Sequence, residues 1–171
     1  MNRRFLLAPM SPLIRGLTIF LLTLPLFFGG YALVWRQGSA WIIVLFFLVL
    51  YVAIWLWCRP SSFIVSPSQL AITFPLWQRR IAIKAVYSVR LIDQKLFQQE
   101  FGWALRVGVG GLWGGFGWLW TRRRGLVEFY ISRLDRFVLI EHSKGKYLLI
   151  TPEKLEQFVD VMQQAMVASN T

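Results

Sequence analysis

The residues that could carry out acid-base, nucleophilic or metal chemistry are few and widely spaced. The 171-residue chain has one histidine, His142, and one cysteine, Cys58. A zinc site or a Cys/His nucleophile pair needs several such groups close together, and a single cysteine excludes an intrachain disulfide and a CxxC motif. Five of the eight acidic residues fall in a predicted polar loop at 93–100 or in a C-terminal helical pattern, where capping and solvated roles are expected. We predict no catalytic residue, no cofactor and no metal site, so an enzyme is the least favoured class.

Residues 108–117, with the sequence GVGGLWGGFG, form the most unusual stretch of the chain, because six of these ten residues are glycine. No glycine is followed by the Lys-Ser/Thr pair of a P-loop, and the spacing does not fit GxGxxG, so a nucleotide loop is excluded. Aromatic residues and then three consecutive arginines accompany the glycines. The candidate membrane or partner contact residues are Trp113, Phe116, Trp118, Trp120, Arg122, Arg123 and Arg124.

Two interpretations of this stretch remain open. In the first, it is an interfacial segment whose tryptophans enter the headgroup layer and whose arginines contact anionic lipid or a partner protein. In the second, it is a glycine-permitted loop between two strands, with its aromatic rings packed in the domain or against the membrane helices.

Composition identifies the elements that must position these residues. The chain is 56% hydrophobic and 16% charged, whereas soluble domains are about 45–50% apolar and about 25% charged. Two charge-free spans, at about 16–35 and 41–58, are each long enough to cross a hydrocarbon core of about 30 Å. The polar break between them predicts a helical hairpin. A cleaved signal peptide is the alternative for the first span, but its length and the immediate second span favour a membrane helix.

Basic residues flank the predicted hairpin unequally. Arg3, Arg4 and Arg15 precede it and Arg59 follows it, whereas Arg36 alone marks the turn. The positive-inside rule then places both termini in the cytoplasm of a multi-pass protein, in the bacterial plasma membrane or another internal membrane. We predict three parts: a cytoplasmic N-terminal segment (1–15), a transmembrane hairpin (16–58) and a cytoplasmic domain (59–171).

The cytoplasmic domain is basic and rich in strand-like patterns. All eight acidic residues and 15 of the 19 basic ones follow Cys58, a net charge of +7. Alternating runs separated by turn residues predict six or seven antiparallel strands around one core, and an amphipathic C-terminal helix starting at Thr151-Pro152. The basic charge favours anionic lipid headgroups over nucleic acid, because the chain has no nucleic-acid-binding motif.

The cytoplasmic part resembles the membrane-anchored bacterial pleckstrin-homology-like (bacterial PH) proteins over about residues 59–166. The resemblance rests on the SPSQL turn, the GLVEFY strand, Gly145 and Tyr147, the Thr151-Pro152 pair, and Glu156-Gln157-Phe158. It implies a mainly-β PH-like barrel or sheet capped by a C-terminal helix. It carries over no phosphoinositide site, because residues 63–75 contain no Lys or Arg.

These observations predict a non-enzymatic binding or scaffolding module, anchored by two spans, whose PH-like domain recognises an anionic lipid surface or a membrane-protein partner. The alternative is an accessory or assembly subunit of a larger membrane complex, in which the same aromatic residues pack against partner proteins.

Overall fold

A computed structural model describes residues 2–143 and 145–170, and its most prominent element is a hairpin of two long helices. Helix α1 (Pro12–Trp35) begins where Ser11 accepts a hydrogen bond from the Ile14 N–H, and it ends at Arg36, which takes left-handed geometry. Helix α2 (Gly38–Ala53) is continued to Cys58 by a π-helical turn. Both helices are long and apolar enough to cross a membrane, and most of their side chains are exposed.

The rest of the chain forms two β-sheets and two further helices. The first sheet is antiparallel, in the order β1-β2-β3-β4, and the second has the order β5-β9-β10-β8-β7-β6 with β8 and β10 parallel. The strands are β1 (Arg3–Leu6), β2 (Ser62–Val65), β3 (Gln69–Thr73), β4 (Gln78–Ala82), β5 (Val86–Asp93), β6 (Ala104–Gly110), β7 (Gly115–Thr121), β8 (Gly125–Ile131), β9 (Arg136–His142) and β10 (Lys146–Ile150). The helices are α3 (Gln94–Phe101) and α4 (Leu155–Asn170).

The central strands of the second sheet, β9 and β10, are buried on both faces. One face packs against the first sheet and α4 in a cluster that includes Phe63, Ile140 and Phe158. The other face is covered by α3 in a cluster that includes Phe101 and Leu139. Because side chains alternate along a strand, neighbours on β9 such as Leu139 and Ile140 enter different clusters. A strand buried on both faces needs a continuous apolar run, which the FVLI segment of β9 supplies.

The N-terminal segment is part of the domain that follows the helical hairpin. Strand β1 pairs with β2, so that Phe5 lies opposite Phe63, and the Phe5 ring packs edge-on against Phe158 at 5.2 Å. The Ala8 N–H then donates to the Thr151 carbonyl at 2.9 Å. Residues before α1 and after α2 therefore belong to the same sheet, so both ends of the helical hairpin meet the same domain.

Several sequence predictions differ from this arrangement. Ten strands in two sheets, with one parallel pair and two buried clusters, replace the expected six or seven antiparallel strands around one core. The polar stretch expected as a loop is α3, capped by Asp93, whose Oδ1 accepts from the Leu96 N–H at 2.7 Å.

The predicted start of the C-terminal helix is also wrong. Helix α4 begins at Leu155, because the Thr151 hydroxyl is occupied with the Ser132 N–H and Pro152 bridges to Leu7. Residues 143–145, where the Ser-Lys-Gly sequence is typical of a turn, connect β9 to β10, and Lys144 lies outside the described residues.

Candidate contact surface

The glycine-rich stretch forms two strands, β6 and β7, joined by a tight turn at 111–114. Gly108 and Gly117 face each other across the pair, and both have positive φ (142° and 134°). A Cβ on Gly117 would lie 2.5 Å from the Val107 carbonyl oxygen, and one on Gly108 would clash with the Phe116 carbonyl. Glycine at both positions therefore allows a closer approach than side chains permit.

The turn of this β-hairpin docks on the two long helices. The Thr18 hydroxyl of α1 lies 2.7 Å from the Gly111 carbonyl oxygen and accepts a hydrogen bond from the Trp113 N–H at 2.9 Å. Leu112 is buried among residues of α2, including Tyr51. The Trp113 ring packs edge-on against Trp55 at 4.8 Å. The turn thus holds the domain against α1 and α2.

Two of the predicted contact residues serve this internal packing. Trp113 is half-buried against α2, and Phe116 is 2% exposed inside the core shared with Phe74 and Tyr130. The expectation that Phe116 contacts a membrane or a partner is therefore wrong, since its position on β7 points the ring inward between the two sheets.

Trp118 and Trp120 instead form part of an exposed apolar surface. Along β7 they lie on the same face as Phe116, but beyond the edge of the first sheet, and the strand register places Val107 beside Trp118. Leu105 and Leu126 flank Trp120 on β6 and β8. We call this group the apolar ladder: Leu105, Val107, Trp118, Trp120 and Leu126, which are 51%, 51%, 48%, 66% and 54% exposed.

A charged pair marks the boundary between the apolar ladder and the core. Glu128, beside Trp118 in the register, forms an ion pair with Arg79 and accepts a hydrogen bond from the Tyr130 hydroxyl at 2.6 Å. Burial raises the pKa of Tyr130 above its ordinary value of 10.0, so the phenol stays protonated and keeps donating. The Arg79 guanidinium balances the charge of the Glu128 carboxylate, and the side chains of the ladder itself carry no charge.

The three arginines form the turn between β7 and β8, at the far end of these strands from the helices. Seven residues of β7 separate them from the docked turn, about 20 Å along the strand. The Arg123 guanidinium donates to the Gln99 carbonyl of α3, and Arg124 Nη1 lies 2.9 Å from the Tyr147 hydroxyl. This hydrogen bond raises the pKa of Arg124. All three side chains are exposed, Arg122 included.

The seven predicted residues therefore occupy three places. Trp113 and Phe116 lie at the helix-proximal end and in the core, Trp118 and Trp120 lie on the apolar ladder, and the arginines form its distal rim. The sequence did not identify Leu105, Val107 and Leu126 as part of the same surface. Alternation opposite Trp118 and Trp120 is the signal that would have found them, once the β6–β7 register was known.

Titratable groups are also found outside this surface in the described part of the chain. Within residues 2–143 and 145–170, no three His, Cys, Asp or Glu side chains come together as metal ligands could. His142 is buried at the end of β9, and burial, reinforced by Arg79 and Lys146, lowers its pKa below 6.5. The Arg133 guanidinium holds the pKa of Asp135 at about 2.

The fold agrees with what the chain is similar to. Residues 61–166 match the bacterial PH domain family, over more than half of the chain. The protein therefore belongs to the bacterial PH domain family, whose domains are typically non-catalytic. No match was found among curated proteins or among solved structures.

Proposed function

We propose that this protein is a membrane-anchored, non-enzymatic binding module, in which a helical hairpin holds a bacterial PH domain at the cytoplasmic face of a membrane. Two helices of sufficient length and apolarity support the anchor. The pairing of β1 with β2 supports an even number of crossings, because a sheet cannot form from strands on opposite sides of a bilayer. The basic flanks Arg15 and Arg59, against the single Arg36 at the turn, support a cytoplasmic domain.

The observation that carries the binding role is the apolar ladder. Five large apolar side chains, each about half exposed or more, lie next to one another on one face of β6, β7 and β8. Exposed apolar surfaces of this kind mark interaction sites in soluble domains. The ladder is rich in tryptophan and borders arginine, the two residue types most enriched at binding hot spots.

A protein is the occupant that the geometry favours. The end of the ladder formed by Trp120 and the turn at 122–124 lies about 20 Å along β7 from the turn docked on α1, and so away from the helices that the bilayer would hold. The three arginines give this end a positive rim. A partner with an apolar patch beside acidic residues, itself located at the membrane, would complement both features. These features support a role as an accessory subunit in a larger membrane assembly.

Contact with anionic lipid is the competing occupant, and photo-crosslinking can distinguish the two. A photoreactive phenylalanine analogue at Trp120 in the full chain, irradiated in native membranes, should give one discrete protein adduct whose mapped contact surface is apolar and acidic. The matched control carries the analogue at Tyr87, which is 55% exposed on β5 at the opposite edge of the same sheet.

Formation of the protein adduct should depend on the three arginines of the rim as well as on the analogue at Trp120. Replacing Arg122, Arg123 and Arg124 together by Gln in the labelled chain should reduce the adduct several-fold, because rim charges steer and orient association. Lipid adducts alone at Trp120 would overturn the protein occupant in favour of the bilayer. Equal labelling at Tyr87 and Trp120 would overturn the binding role of the ladder. Release of the unmodified protein from membranes by an alkaline carbonate wash would overturn the anchor.

A further inference from the structure

A cavity lies where the two ends of the helical hairpin meet the domain. It has a volume of about 480 Å³, within the range of small-molecule sites. Arg15 from the first turn of α1, Arg59 directly after α2 and Trp113 from the glycine-rich turn line it together, beside Pro9 and Met10. Three segments far apart in sequence thus converge on one site, which is separate from the apolar ladder.

Both arginines in this cavity lack an ionic partner in the described part of the chain. Among the described residues, neither Arg15 nor Arg59 forms an ion pair, although four ion pairs are present elsewhere. Glu153 also lines the cavity but lies outside ion-pair distance of both guanidinium groups. Two guanidinium groups on one cavity are a donor set suited to an anion with several oxygens, such as a phosphate.

The Arg59 side chain has an unsatisfied hydrogen-bond donor in the described structure. Its Nε atom is buried without any hydrogen-bond partner, while its guanidinium carbon stacks 4.1 Å from the centre of the Trp55 ring. Burial lowers the pKa of Arg59, which reflects the cost of desolvating a cation that no anion compensates. An anion in the cavity beside the guanidinium group would offset part of this cost.

The position of the cavity indicates that the anion is a phospholipid headgroup. Arg15 is the last charged residue before the apolar part of α1, and Arg59 is the first after α2. Both guanidinium groups therefore lie at the level where phospholipid phosphates begin, and Trp55 and Trp113 next to them suit the headgroup layer. The surface of the two helices above the cavity is apolar and exposed, as acyl chains require.

We propose that Arg15 and Arg59 bind the phosphodiester of an anionic glycerophospholipid of the cytoplasmic leaflet, with its acyl chains lying along α1 and α2. This inference rests on the membrane anchoring proposed above but not on the apolar ladder. The bound lipid would connect the two ends of the hairpin to the Trp113 turn, and so would stabilise the domain in its docked position.

Native mass spectrometry of the full chain in a mild detergent tests the site, with phosphatidylglycerol and phosphatidylcholine of equal chain length as probes. We expect phosphatidylglycerol to bind the unmodified protein at least about fivefold more tightly. The double variant R15Q/R59Q should lose about tenfold in affinity or more, in line with the contribution of each arginine beside anionic lipid. The control R36Q, at the opposite end of the hairpin, should bind within about twofold of the unmodified protein.

A charge-conserving variant and a phosphate competition experiment complete the test of the lipid site. The R59K variant keeps the charge but not the planar fork, so it should bind more weakly than the unmodified protein and more tightly than R15Q/R59Q. Equal affinity for the two lipids, or equal losses in R36Q and R15Q/R59Q, would overturn the proposal. Displacement of the lipid by millimolar inorganic phosphate would overturn the lipid as the source of the anion. Because carbonate extraction reports on the anchor alone, a failed anchor and a failed lipid site remain distinguishable.

Discussion

The hydroxyl of Thr18, in the second turn of α1, contacts two backbone groups of the Gly111–Trp113 turn. It lies 2.7 Å from the Gly111 carbonyl oxygen and 2.9 Å from the Trp113 nitrogen, whose N–H donates to it. The same oxygen also lies 2.8 Å from the Ile14 carbonyl. Thr18 is 4% exposed, so water cannot replace it. The Thr18 side chain thus connects α1 to the β-hairpin formed by β6 and β7, which carries most of the apolar ladder.

Removing this hydroxyl should loosen the docked turn. Thr18→Val keeps the shape of the side chain but leaves the Trp113 N–H and the Gly111 carbonyl without their partner, at a cost of about 1–3 kcal/mol. We expect a lower melting temperature of the full chain in detergent and faster amide hydrogen exchange at 111–114. Thr23→Val is the matched control on the same helix, because the Thr23 hydroxyl is exposed and donates only to the Phe20 carbonyl. Equal effects of the two variants would contradict this role.

The close approach of β6 and β7 gives a second prediction. Gly117→Ala places a Cβ 2.5 Å from the Val107 carbonyl oxygen at a φ of 134°, so the strands must separate or the backbone must change conformation. We expect a loss of about 1–3 kcal/mol in the free energy of unfolding, measured by thermal denaturation. In the control Gly110→Ala, the new Cβ meets only the end of the flexible Arg106 side chain. A neutral Gly117→Ala would show that the two strands are not held this closely.

Strand β1 should stabilise the domain although it precedes the helical hairpin. Phe5 is 6% exposed in the cluster that contains Phe158, so Phe5→Ala should lower the free energy of unfolding by about 3–5 kcal/mol. Leu6→Ala, one position along the same strand and 51% exposed, should change it little. Unfolding of the full chain monitored by circular dichroism would measure both. Similar small effects would mean that β1 does not belong to the sheet.

Acidification should destabilise the domain through His142. Its pKa is lowered in the fold, first by burial and then by Arg79 and Lys146, whereas in the unfolded chain it stays near 6.5. The unfolded state therefore binds more protons just below pH 6.5, and stability falls as the pH drops from 6.5 towards the lower folded value.

Melting temperatures between about pH 7.5 and 5 test this dependence, because unperturbed carboxylates titrate lower. His142 is the only histidine in the chain, so His142→Phe should largely remove the dependence in this window. An unchanged pH profile in the variant would assign the effect to other groups.

Several strands were predictable because their patterns are local. Strands β2 and β3 are separated by the Ser-Pro-Ser turn, and β9 and β10 are continuous apolar runs bounded by turn residues. Helix α3 also had a local signal that the sequence analysis did not use. Phe97 and Phe101 are four residues apart, the spacing of one helix face, and both are buried against the second sheet.

Other features had no local signal. Strand β1 is four residues long, and its partner begins about sixty residues later. Its pairing depends on the helical hairpin bringing residues 3–6 back to residues 62–65. The parallel pairing of β8 with β10 likewise depends on how β9 and the turns around it fold.

Composition and spacing by themselves determined that two apolar helices form a hairpin and that a basic β-rich domain follows, because these properties follow from the order of residue types along the chain. Tertiary structure decided which aromatic side chains remain exposed. Phe116, Trp118 and Trp120 share one strand face, and only the edge of the opposing sheet separates the buried ring from the two exposed ones. Tertiary structure likewise decided that Arg15, Arg59 and Trp113 share one cavity, since contacts between distant segments are set by packing rather than by neighbouring sequence.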